Sequence, residues 1–257
     1  MKNYYSEIEK KIVVENDPFE FCSSSDFLPI DIANKAETEF VDFDKTIGSG
    51  NERYQKLKRG FSDYSKMPST VKEIIDFFYS EKFIKILENK FNLKNILPDW
   101  TLQGGGMSQS FNGGYLKVHS DFLHKRKSKH RRVLNLLLYL NTDWKSEWKG
   151  ALELWDKNMA TCKKKIDPIM NNCVIFRTDQ GSNHGFPDPI QCPNNVNRKS
   201  IALYYYIEEK SLLPLTIKKR ELFHAVWKKR PGINEPVFSD QNTFFKRLKN
   251  KFFFRFF

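Results

Sequence analysis

The sequence predicts a mainly β protein with helices confined to its N-terminal hundred residues. Three observations carry this: apolar residues at helical spacing before residue 92, a glycine-rich break at 104–106, and a series of short apolar segments parted by turns after it. With 257 residues, 40% of them hydrophobic and 15% aromatic, the chain has enough apolar surface for a sizeable core and too much for a disordered state.

Taken in order, residues 19–21 and the turn Phe27-Leu28-Pro29 read as a short strand and turn, and 32–43 as a helix. After Pro68, Ser69 is expected to cap a helix whose positions Val71, Ile74, Ile75 and Phe78 follow the i, i+3, i+4, i+7 rule. Ser80 is expected to open another, with Phe83, Ile84, Leu87 and Phe91 on one side. The β segments are 115–119, 133–140, 151–155, 172–177 and 199–207, and five strands with no helices between them suggest an antiparallel sandwich or barrel. Beyond them a helix is expected at 220–229, followed by a tail over 244–257 that mixes Phe with Lys and Arg.

No apolar run reaches the roughly 18 residues needed to span a bilayer, and the N-terminus lacks the apolar core of a signal peptide, so a cytoplasmic protein is expected. Cys22, Cys162, Cys173 and Cys192 form no Cys-x-x-Cys pair and read as free thiols. The formal charge of +12 is concentrated: residues 211–257 carry eleven Lys/Arg and three Asp/Glu. That tail could meet an anionic membrane or an acidic partner, whereas no specific nucleic-acid partner is expected. A second basic knot spans 125–132, and His124 and His130 beside it are expected to be solvated.

His119 and Asp121 are separated by one residue at the end of an expected strand, so both project from one face. His184 follows the segment 172–177 and can supply a third ligand. Two histidines and one carboxylate on one side of a metal form the facial arrangement of non-haem Fe(II) oxygenases; the same set can also hold zinc with a water. Arg198, in a β segment, needs a carboxylate that a bound ligand could provide, and Tyr139 could donate its hydroxyl to it. Glu153 is expected to face outward, Trp155 to border the cavity, and His224 to lie on the helix at 220–229.

These residues sit in a longer pattern. Gly113 and Gly114 precede His119-Ser120-Asp121-Phe122; Leu136-Leu137-Leu138-Tyr139-Leu140-Asn141 leads to Asp143-Trp144 and Gly150-Ala151-Leu152-Glu153-Leu154-Trp155-Asp156. His184-Gly185-Phe186-Pro187-Asp188-Pro189 and Arg198-Lys199-Ser200 complete it. Over about residues 98–208 the chain resembles the Fe(II)/2-oxoglutarate dioxygenases of the prolyl 4-hydroxylase type, with Gly150-Ala151 where that family has Gly-Gly.

The resemblance implies a double-stranded β-helix, or jelly roll, over 98–210, with 1–97 packing on it and 211–257 as a basic extension. It implies Fe(II) on His119, Asp121 and His184, 2-oxoglutarate held by Arg198 with Tyr139, O2 as oxidant and ascorbate as an auxiliary reductant. The expected reaction is hydroxylation of a C–H bond, with a prolyl residue of a protein as the first candidate acceptor. A small molecule or sugar is an alternative acceptor, and a non-catalytic jelly-roll binding protein is the alternative to an enzyme.

Overall fold

The computed structural model describes residues 4–41, 53–124, 128–209 and 224–233. The expected segment 212–219, the tail 244–257 and the basic knot's residues 125–127 lie outside them.

Four helices, α1 (Tyr5–Lys11), α2 (Ile30–Thr38), α3 (Ser69–Phe78) and α4 (Glu81–Lys90), pack against an antiparallel sheet. Its strands are β1 (Phe21–Ser24), β2 (Gln55–Phe61), β3 (Leu97–Pro98), β4 (Gly106–Ser120), β5 (His130–Tyr139), β6 (Leu152–Trp155), β7 (Cys162–Ile166), β8 (Cys173–Arg177), β9 (Asn183–Phe186), β10 (Arg198–Glu208) and β11 (Val226–Trp227). The order β1-β8-β5-β10-β4-β9-β6-β7 curls into a nearly closed barrel, the double-stranded β-helix. The 15-residue β4 makes the closure possible: its first half pairs with β10 and its second half with β9.

Strand β5 explains why the central segments are apolar at nearly every position. Leu134, Leu136 and Leu138 face the helices in the main core, whereas Leu137 and Tyr139 join the barrel interior. Strand β8 repeats this, with Cys173 and Ile175 outside and Val174 and Phe176 inside. A strand covered on both faces needs no polar side.

The helix spacing holds: Val71, Ile74, Ile75 and Phe78 of α3 are all fully buried. The capping differs between the two helices. Ser80 caps α4 as expected, its hydroxyl accepting from the Phe83 amide at 3.4 Å. In α3 the capping position falls to Pro68, and the Glu39 carboxylate of the neighbouring α2 end accepts from the Thr70 amide at 3.1 Å. A long-range carboxylate thus does what Ser69, already inside the helix, cannot.

At 220–229 the described residues correct the expected helix, because Val226 and Trp227 form β11 against the end of β4. Strand β2 follows no alternating apolar pattern, and a bulge at Leu57, whose φ is 48°, shifts its register on β4.

Candidate metal centre and its cavity

His119 is the next-to-last residue of β4, His184 lies directly opposite it on β9, and Asp121 is the first residue beyond β4. One ligand atom from each of the three lies within 4.8 Å of the others, the only such cluster among the described residues. The expected trio is therefore brought together.

The imidazoles are fixed by their own backbone. His119 Nδ1 lies 2.8 Å from the Lys117 carbonyl and His184 Nδ1 3.0 Å from the Ser182 carbonyl, so each Nδ1–H donates and each Nε2 lone pair is left facing the cluster. Both Nε2 atoms stand 3.6 Å from an Asp121 oxygen, too far for a hydrogen bond. Burial and the neighbouring His119 push His184 down to about 4, so it is neutral near pH 7. Two Nε2 atoms and a carboxylate converge with no hydrogen bond among them, an arrangement that a cation relieves and a bare pocket does not. The donor set, two nitrogens and one oxygen, suits Fe(II).

Asp121 is held from behind. Arg132 Nη1 lies 3.1 Å from its Oδ2, and Asn135 Nδ2 donates to the same oxygen at 2.7 Å. Burial alone would raise its pKa; Arg132 and the two imidazoles overcome that and hold the carboxyl well below its usual range. Arg132 is itself 1% exposed, with its guanidinium 3.7 Å from the Tyr204 ring centroid and 4.2 Å from that of Phe122. Read as part of a solvated basic knot, Arg132 is a buried counter-ion. His124 is corrected in the same way: it is 1% exposed, with Nε2 3.5 Å from Glu209.

From this cluster a cavity of about 80 Å³ runs between the sheet layers to Arg198, walled by Leu137, Leu152, Phe176 and Phe186. Arg198 is 4% exposed, its Nε donates to the Gly150 carbonyl at 2.7 Å and its Nη2 to the Tyr139 hydroxyl at 3.3 Å. Two of five donors are thus spent, and no described carboxylate pairs with the group. Gly150 takes φ 77°, and a Cβ there would stand 3.3 Å from Arg198 Cδ, so a glycine both makes the turn and admits the arginine. A fork with unspent donors at the closed end of an apolar cavity fits a planar carboxylate such as that of 2-oxoglutarate.

Three details depart from the sequence reading. Glu153 points away from the cavity but is buried, its carboxylate 2.9 Å from Lys165 Nζ and accepting from Trp155 Nε1 at 2.9 Å. Trp155 shares that face, so Leu152 and not Trp155 borders the cavity. His224 is exposed beside β11, and it is Trp227 that reaches the centre, 4.8 Å from the His119 ring and stacked on Tyr54 at 4.5 Å.

Sequence reasoning missed Lys58, which lines the same cavity from β2. The register supplies the reason for its position: Lys58, Ser110 and Arg198 lie in one row across β2, β4 and β10, so their side chains share a face. Outside, a groove of about 240 Å³ reaches Asp121 past Lys157, Gln180 and Lys228.

Residues 106–206 match the model of the 2OG-Fe(II) oxygenase superfamily. A Pseudomonas putida prolyl-4-hydroxylase structure shares the fold, with 12% identity, a TM-score of 0.53, and 80% of this chain and 100% of that chain covered. A prolyl 4-hydroxylase structure from Phytophthora capsici is 17% identical with a TM-score of 0.53, covering 96% of this chain and 74% of that one. No curated protein matches the chain.

Proposed function

We propose, for a chain that is an Fe(II)- and 2-oxoglutarate-dependent dioxygenase, that His119, Asp121 and His184 hold the iron, that Arg198 oriented by Tyr139 holds the far carboxylate of 2-oxoglutarate, and that a prolyl residue of a protein is the acceptor. The carrying observation is the convergence of two Nε2 lone pairs and one carboxylate, each fixed from behind, on one end of a cavity whose other end is an arginine with unspent donors. The division into an oxygenase unit at 98–210, an N-terminal region packed on it and a basic extension belongs to the same reading.

When bound, the iron and 2-oxoglutarate supply the O2-dependent oxidation of a C–H bond. The protein's own part is positioning. His119 and His184 present Nε2 to the metal position, because each Nδ1–H is already given to a backbone carbonyl. Arg132 and Asn135 fix which Asp121 oxygen faces the cluster. Leu137, Leu152, Phe176 and Phe186 keep water from the co-substrate's chain, which strengthens the Arg198 contact. The groove past Lys157 and Lys228 gives the acceptor a route to Asp121.

The prolyl acceptor is supported by the two structures of like fold, both of them prolyl 4-hydroxylases. Ascorbate as auxiliary reductant rests on the resemblance. No described helix is long and apolar enough to cross a membrane; the proposed cytoplasmic location is supported by four free cysteines. An anionic surface as partner of the tail is supported by the tail's charge alone.

The test is an anaerobic titration of the metal-free protein with Fe(II) and then 2-oxoglutarate, followed through the weak visible charge-transfer band of keto-acid chelation. The expected result is a band in the wild type and none in His184→Ala, with succinate release then screened against prolyl peptides and small molecules. Zinc bound in preference and no band would favour a hydrolase, and no metal at all a binding protein.

A further inference from the structure

We propose that Lys58 recognises an anionic group, a carboxylate or a phosphate, on the acceptor substrate. The inference deepens the function proposed above and rests on it.

The cavity wall carries two cations, Lys58 and Arg198, and a single carboxylate, Asp121, which Arg132 already neutralises. Of the two carboxylates of 2-oxoglutarate, one belongs with the metal and the other with Arg198, so the co-substrate leaves nothing for Lys58. No hydrogen bond or ion pair to a described residue engages the Lys58 ammonium. It stands two strand spacings from Arg198, roughly 10 Å between backbones, on the same face. At that separation the two cations repel, and an anion between or beside them relieves the repulsion. Burial first and Arg198 second push its ammonium down to about 8, and Asp121 offsets that only in part.

Lys58 also comes from a different part of the chain than the chemistry does. It lies on β2, outside the matched segment 106–206, whereas the ligand trio and Arg198 lie inside it. A cation added to the oxygenase cavity from the N-terminal region serves choice of acceptor, not the common reaction.

The experiment loads the full chain anaerobically with Fe(II) and saturating 2-oxoglutarate, then titrates in inorganic phosphate and, separately, acetate, by calorimetry and by displacement of the charge-transfer band. Wild type is expected to bind at least one of the two anions saturably. Lys58→Met should weaken that binding at least tenfold and Lys58→Arg restore it, while 2-oxoglutarate affinity changes less than twofold; Lys58→Gln stands in if the Met variant does not fold. Equal anion affinity in wild type and Lys58→Met, or no anion binding by wild type, overturns the proposal. So does a tenfold loss of 2-oxoglutarate affinity in Lys58→Met, which would make Lys58 a co-substrate ligand. Calorimetry needs no band, so anion binding at Lys58 is read out even where a missing band defeats the iron and 2-oxoglutarate reading.

Discussion

The two ends of the cavity solve opposite electrostatic problems. At the ligand end every charge has a protein partner: Asp121 is paired with Arg132, Arg132 is sandwiched by Tyr204 and Phe122, and His184 is neutral. At the far end no described carboxylate forms an ion pair with Arg198 or Lys58. The first end is built to stay in place whatever is bound; the second is completed only by an incoming anion. Rigidity and recognition are separated along a single pocket, with apolar side chains between them to keep the fields of both unscreened.

The comparison breaks most visibly at Arg132. Arg132→Met leaves Asp121 buried without its counter-charge, and the metal-free protein is expected to lose about 4 kcal/mol of stability in urea unfolding, the usual scale for halving a buried pair. A metal ion would replace the lost charge, so Fe(II) should raise the stability of the variant more than that of the wild type. Equal stabilisation of the two would mean that Arg132 does not compensate the ligand end.

At the far end the effect belongs in binding, not folding. Arg198→Ala removes the fork that no protein carboxylate satisfies, so 2-oxoglutarate affinity, read from the charge-transfer titration, should fall by about 3 kcal/mol, roughly a hundredfold. Relief of an uncompensated buried cation should leave the melting temperature without ligand unchanged or higher. A large loss of stability with unchanged 2-oxoglutarate affinity would reverse the assignment of the two ends.

The smallest effect is one of pH. His184 is held down to about 4 in the folded chain, below the 6.5 of an unfolded histidine. Its contribution is therefore fully present above pH 6.5 and is lost as pH falls toward 4. In the presence of a chelator, unfolding free energy should drop by about 2 kcal/mol between pH 7.5 and pH 5, and His184→Gln should flatten that step. A step of equal size in the variant would assign it to another group.

The ligand trio was legible because both of its constraints are local. Alternation places His119 and Asp121 on one side of a strand end, and a carbonyl two residues upstream of each histidine orients it. Arg198 stood out by its place fourteen residues after His184, at the start of the β segment 199–207. Lys58 gave no such signal: Gln55, Lys56, Lys58 and Arg59 crowd a strand that shows neither apolar alternation nor an apolar run, and the bulge at Leu57 interrupts its period. Arg132 was hidden by its neighbours, since four basic residues within six positions look solvated whichever of them turns inward.

By itself, then, the sequence determined the β barrel and the faces of α3 and α4, and it singled out His119, Asp121, His184 and Arg198, which the fold gathers around one cavity. These depend on periods of two and 3.6 residues and on residues a few positions apart. Which charges meet was decided only by the tertiary structure. Lys58 reaches Arg198 across Ser110, and Arg132 reaches Asp121 because β5 turns its side chain inward. Coulombic pairing acts across space between strands far apart in the chain, and no local pattern encodes which strand lies next to which.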